Sequence, residues 1–252
     1  MLKVRVIPTL LHKGFGLVKG VHFDSRRAVG SPMQAIKVYN LRNVDELVFL
    51  DVTATLEGRG PDLDLIDDLA DDCFMPFAVG GGVSTVDDVR DLLAVGADKV
   101  VIGTAALERP SIVREASDRF GAQCVVVSID TRRHDDGTPE VFVRSGTQGT
   151  GRDPVDVARE MEAAGAGELL VQSIDRDGVM DGYDVDTVRR IADAVSVPVV
   201  ASGGAGIFEH MAEVLRDGCA SAVAASAMFH FTEQTPMEAK QYLREQGFPV
   251  RI

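Results

Sequence analysis

Several things are missing from this sequence, and each absence narrows what it can be. No apolar run approaches the ~18 residues needed to cross a bilayer. Residues 1–8 read straight into a strand, without the long apolar region of a secretion signal. The three cysteines, Cys73, Cys124 and Cys219, lack metal spacing, and their apolar settings read as buried free thiols in a reducing compartment. The expected location is therefore the cytoplasm, with no membrane. The five histidines are scattered, and no Ser/His/Asp or Cys/His arrangement is legible, so neither a metal nor a cofactor is expected. Positive charge is in deficit: 26 basic against 39 acidic residues, a net charge of −13. That balance argues against a general nucleic-acid binder but leaves room for a local basic pocket that takes an anion. No Pro/Ser-rich linker interrupts the chain, so residues 1–252 read as one domain.

What is present is a repeat. Residues 76–82, Pro-Phe-Ala-Val-Gly-Gly-Gly, return 122 positions later as residues 198–204, Pro-Val-Val-Ala-Ser-Gly-Gly. The same offset carries Glu46 onto Glu168, Gly96 onto Gly218 and Ala105 onto Ala227. Each copy reads as a short apolar strand, a glycine pair, a helix, then a second small-residue strand. Along the chain, eight strands alternate with eight helices. Strands are expected at 4–10, 46–51, 77–79, 99–102, 123–129, 168–173, 197–201 and 221–225, with Ser31, Ser84 and Asp153 as helix caps. The strands are apolar throughout, as parallel strands covered on both faces must be. Eight βα units in 252 residues point to a closed (β/α)8 TIM barrel with a half-barrel internal repeat. An open doubly wound sheet is the alternative.

In a closed barrel the loops after the strands share one mouth. Glycines between a strand and a helix let backbone N–H groups converge on an anion, although they also simply make tight turns. Two phosphate sites are expected, at Gly81, Gly82, Gly103 and Thr104, and at Gly203, Gly204, Ala225 and Ser226. A ligand spanning both must be elongated, with a phosphate at each end. Asp130 ends the fifth strand between them, where a carboxylate can move a proton; capping the following loop is its alternative role. Lys19, Asp51, Asp177 and Gly178 are further mouth residues. Residues 11–30, which include Lys13, Lys19, Arg26 and Arg27, either fold over an anionic ligand or form a mobile loop. At the opposite end Arg5, Glu46, Lys99 and Glu168 begin alternate strands, as a closed charge ring or as ordinary solvation of the barrel end.

The run Glu46-Leu47-Val48-Phe49-Leu50-Asp51, the Gly80-Gly81-Gly82 loop, the stretch Asp175-Arg176-Asp177-Gly178 through Gly182-Tyr183-Asp184, and Ala201-Ser202-Gly203-Gly204 resemble the cyclase subunit of imidazole glycerol phosphate synthase. The resemblance covers essentially the whole chain. It implies a barrel that receives ammonia from a separate glutaminase subunit, a heterodimer, and a small-molecule substrate with two phosphates, a ribulosyl formimino aminoimidazole carboxamide ribotide. The implied products, imidazole glycerol phosphate and an aminoimidazole carboxamide ribotide, belong to histidine biosynthesis. It further implies that Arg5, Glu46, Lys99 and Glu168 gate ammonia, and that Asp98 faces the glutaminase. The related phosphoribosyl isomerase shares the half-barrel repeat, but residues 175–184 and the charge ring speak against it.

Three positions depart from the family pattern. Thr9 and Leu11 stand where that pattern has Cys and a catalytic Asp, and Gly103 stands where it has Asn. The Leu10-Leu11 form resembles a paralogous branch in which the barrel passes ammonia from a glutaminase to a sugar amidotransferase in surface-polysaccharide synthesis.

Overall fold

The computed structural model describes residues 3–14 and 16–252; Met1 and Leu2 of the N-terminal run, Phe15, and the side chains of Ser25 and Arg26 lie outside what is described. Twelve strands are present among the described residues: β1 (Arg5–Lys13), β2 (Gly16–Val21), β3 (Asp24–Gly30), β4 (Leu47–Asp51), β5 (Phe77–Gly80), β6 (Lys99–Ile102), β7 (Val125–Arg133), β8 (Pro139–Val143), β9 (Gln148–Gly149), β10 (Glu168–Ser173), β11 (Val199–Ser202) and β12 (Ala222–Ala225). Eight of them are parallel, in the order β10-β11-β12-β1-β4-β5-β6-β7, and pairing of β10 with β7 closes the ring. This is the (β/α)8 barrel; the open sheet is excluded.

The continuous apolar strands follow from that closure. In β4, Val48 points into the lumen with Ile7, Val101, Val126 and Leu170, while Phe49 belongs to the layer between barrel and helices. Both faces are dry, so the alternation of a half-exposed strand disappears. Helices cover the outside, among them Pro32–Leu41, Leu63–Asp71, Val86–Ala94, Pro154–Ala164 and Pro236–Glu245. Asp153 caps its helix as expected, accepting from Val155 N–H at 2.8 Å. One of the other two cap assignments holds in position and one is corrected. Ser31 occupies the cap position before Pro at the first turn, as expected, but its side chain makes no cap bond. Thr85, not Ser84, caps the next helix through a reciprocal capping box with Asp88. No helix among the described residues is long and apolar enough to cross a membrane.

Two excursions rise from the mouth. The described residues of 11–30 are not a loop: β1 extends past the barrel to Lys13, and β2 and β3 form an antiparallel hairpin beside it. Its two-residue turn, His22-Phe23, has φ of +54° and +64°, the twist a tight hairpin needs. The second excursion is β8 with β9, laid antiparallel on the extension of β7.

The half-barrel repeat holds in the backbone. Gly81 and Gly203 both have left-handed φ, +105° and +88°. A Cβ at Gly81 would collide with the carbonyl of Asp51, and one at Gly203 would come within 2.7 Å of the carbonyl of Ser173. Asp51 and Ser173 are themselves 122 positions apart. Only glycine fits either position.

Candidate active site

The β4 and β5 ends, the β6 end and the β7 end surround one cleft, open to solvent. Gly81, Gly82, Gly103 and Thr104 line one side, Asp130 and Ser128 another, and Leu11, Leu50 and Phe23 an apolar third. A second, narrow pocket is lined by Lys19, Gly203, Gly204, Ala225 and Ser226. The two cavities share Leu11, Gln172 and Asp177 in their walls. The eight loop residues read as phosphate-binding thus fall into two groups, four lining each cavity.

Asp130 lines the first cavity, on the strand paired with β10, whose Gln172 is in both walls. Ser128 Oγ donates to Asp130 Oδ1 at 2.9 Å, the one hydrogen bond to this carboxylate among the described residues. Its carboxylate therefore does not cap the loop that follows. Burial, helped by the charge of Asp177, pushes the Asp130 carboxyl up to about 6, against the Ser128 bond. A carboxylic acid poised there can give or take a proton near neutrality.

The strand-one partner of Asp130 is settled by register. Gln172 pairs with Asp130, and Leu50, 122 positions before Gln172, pairs with Leu11. Leu11 is 7% exposed and lines both cavities. No carboxylate stands opposite Asp130 across the quasi-twofold axis.

Asp51 also lines the cleft, but its side chain is committed. Oδ1 accepts from Thr53 N–H, Thr53 Oγ1 and Ala54 N–H at 3.0–3.2 Å, and Arg59 lies 2.7 Å from Oδ2. Burial works against its charge, yet the His12, Thr53 and Arg59 interactions hold the carboxyl far below the usual carboxylate range. It is a fixed anion that holds the turn beside Gly81.

Lys19, on β2, is buried at 2% exposure in the second pocket. Burial brings its amine down to about 8, partly offset by the Asp177 carboxylate. Asp177 also ties the hairpin down: its carbonyl accepts from His22 N–H at 3.0 Å and its Oδ2 from Phe23 N–H at 3.3 Å. Gly178 fits because a Cβ there would strike the carbonyl of Gly20. The hairpin thus carries Lys19 over the mouth.

The chain matches the family described as histidine biosynthesis protein over residues 5–235. It belongs to that family. The cyclase subunit of imidazole glycerol phosphate synthase is a member of the same family, and family and barrel together make this a histidine-biosynthesis-type protein.

Far below the mouth lies the charge ring of this family member, and it is closed. Arg5 donates to Glu46 Oε2 at 2.5 Å and also bonds Glu168. Lys99 Nζ donates to Glu46 at 2.9 Å and to Glu168 Oε2 at 2.7 Å. Glu46 and Glu168 are 3% and 5% exposed, so this is not surface solvation. Burial disfavours the Glu168 charge, but Arg5 and Lys99 outweigh it and hold its carboxyl below the usual range. Above the ring the lumen is apolar, through Ile7, Val48, Ala78, Leu170, Val200 and Ala222. Asp98 precedes Lys99 on the exposed bottom face, its Oδ2 accepting from Phe77 N–H at 2.8 Å.

Sequence reasoning missed Ser128 and Gln172. Both were within reach: Ser128 lies two residues before Asp130 on the same strand face, and Gln172 is the repeat image of Leu50. Phe23 was out of reach, because only the hairpin brings it to the cleft.

Proposed function

We propose that this chain is the ammonia-receiving barrel subunit of a glutamine-dependent two-protein enzyme, binding an elongated ligand with a phosphate at each end. The observation that carries it is the pair of glycine-loop pockets that share Leu11, Gln172 and Asp177 in their walls, with Asp130 lining the first of them. Gly81, Gly82, Gly103 and Thr104 hold one phosphate through backbone N–H groups; Gly203, Gly204, Ala225 and Ser226, with Lys19, hold the other. Ammonia enters at the ring of Arg5, Glu46, Lys99 and Glu168, and a glutaminase docks on the bottom face beside Asp98. In the histidine-pathway form of this reading, Asp130 alone moves protons during closure of the imidazole ring and release of the aminoimidazole carboxamide ribotide. The test is complementation of a strain lacking the cyclase subunit, together with co-purification with a glutaminase. Growth supports the cyclase; absence of any complex at micromolar concentration, with both proteins folded, removes the partner.

Leu11 favours a second form. With an apolar side chain at the position paired across the barrel with Asp130, the chain conducts ammonia onward to a sugar amidotransferase and does little chemistry itself. A stable glutaminase complex without complementation selects this form.

Lys19 makes the second pocket pH-dependent in either form. A phosphate dianion favours the ammonium over the amine, and the free ammonium titrates near 8. Affinity for inorganic phosphate at this pocket is expected to fall between pH 7 and pH 9. Lys19→Met should bind more weakly throughout and lose that slope. A slope unchanged in the variant assigns the titration elsewhere.

A further inference from the structure

Thr9 Oγ1 and His12 Nδ1 are the two buried side-chain polar atoms without a hydrogen-bond partner among the described residues. His12 lies behind the sheet, stacked on Phe49 and 3.8 Å from Asp51. Thr9 is different. It is 4% exposed, stands on the lumen side of β1 with Ile7 and Leu11, and lines the second pocket beside Lys19 and Ser226. Ser226 Oγ donates to the carbonyl of Thr9 at 2.5 Å, which fixes this residue against the loop that closes the pocket.

A buried hydroxyl left unpaired is unfavourable, and valine has the same shape without that cost. A rule of good packing broken on the wall of a binding pocket points to a ligand. We propose that Thr9 is a ligand-contacting residue of the second pocket, its hydroxyl hydrogen-bonding to an oxygen of a phosphate monoester held by Gly203 and Gly204. This rests on reading that glycine loop as an anion site.

The experiment titrates the full chain with inorganic phosphate and with glycerol 3-phosphate, following the amide resonances of Gly203, Gly204 and Ala227 by NMR. Wild type, Thr9→Val and Thr9→Ser are compared. Thr9→Val should melt at the same temperature as wild type or higher, and bind about five- to twentyfold more weakly, the worth of one hydrogen bond. Thr9→Ser should stay within about twofold of wild type. Weakening with both probes places the bond on the phosphate oxygens; weakening with glycerol 3-phosphate alone places it on the ester or alcohol oxygen. Should Thr9→Val not fold, Thr9→Ala serves the same comparison. Unchanged affinity for both probes overturns the proposal and leaves Thr9 a water-bonded wall residue. If the wild-type amides do not respond to either probe, the anion site itself fails first, and the role of Thr9 with it.

Discussion

Asp130→Asn is expected to lower ammonia-dependent turnover of the two-phosphate ribotide by about 10²–10⁴-fold, the usual contribution of a positioned proton-transfer group. No second carboxylate at the Leu11 position can substitute for it. The same substitution is expected to stabilise the fold at alkaline pH, which separates loss of chemistry from loss of structure. The folded carboxyl titrates near 6, against 3.8 for the free group. A raised carboxyl pKa contributes stability that is fully present below the unfolded value and lost as pH rises through the folded one. At pH 8 the wild type holds a buried charge that asparagine avoids, a gain of about 1–3 kcal/mol. At pH 4 most of that difference should vanish. Thermal melts of both proteins at the two pH values check it. The converse change, Leu11→Asp, should raise wild-type turnover by about tenfold or more if the ligand still fits, once the variant is shown to fold. Wild type running at full rate would assign the second proton transfer to another group. Inactivity of both wild type and Leu11→Asp would leave the conduit form standing.

Lys99→Ala should destabilise the ring. It leaves two nearly buried carboxylates, Glu46 and Glu168, sharing only Arg5. Breaking a buried ion pair costs ~3–5 kcal/mol; Lys99 is one-fifth exposed and Arg5 still bridges both carboxylates, so about 2–3 kcal/mol is expected. For a chain of this length that lowers Tm by about 5–10 °C. The sign with pH is opposite to that of Asp130. The Glu168 carboxyl titrates below its ordinary value of 4.5. Its contribution is present above that value and is lost as pH falls through the folded one. The gap between wild type and variant should be full at pH 7 and narrow below pH 4.5. A gap that stays constant on acidification would mean that packing of the lysine stem, not the ring, was lost. On the ammonia-entry reading, the variant should also shift the ratio of glutamine-driven to ammonium-driven turnover, because the pore is then held open.

The sequence by itself determined the architecture. Strand-length apolar runs alternate with capped amphipathic helices, and local hydrophobic period and cap chemistry are properties of a few neighbouring residues. The 122-residue offset also carried the two glycine loops and the pairing of Glu46 with Glu168, because a duplicated backbone demands the same side chains where only glycine fits. Even the absence at Leu11 could be read from strand counting. Tertiary structure alone decided the rest. Closure of β10 on β7 brings the two glycine loops to one mouth and joins Arg5, Glu46, Lys99 and Glu168 into a ring of direct contacts. Asp51 and Asp130 look alike in the sequence, each a carboxylate ending a strand. Only the folded chain separates them: backbone N–H groups and Arg59 hold Asp51 charged, while burial beside Asp177 leaves Asp130 able to accept a proton. The hairpin that buries Lys19, and the unpaired hydroxyl of Thr9, are likewise invisible in the sequence. Burial and hydrogen-bond satisfaction depend on residues far apart in the chain, and no local pattern records them.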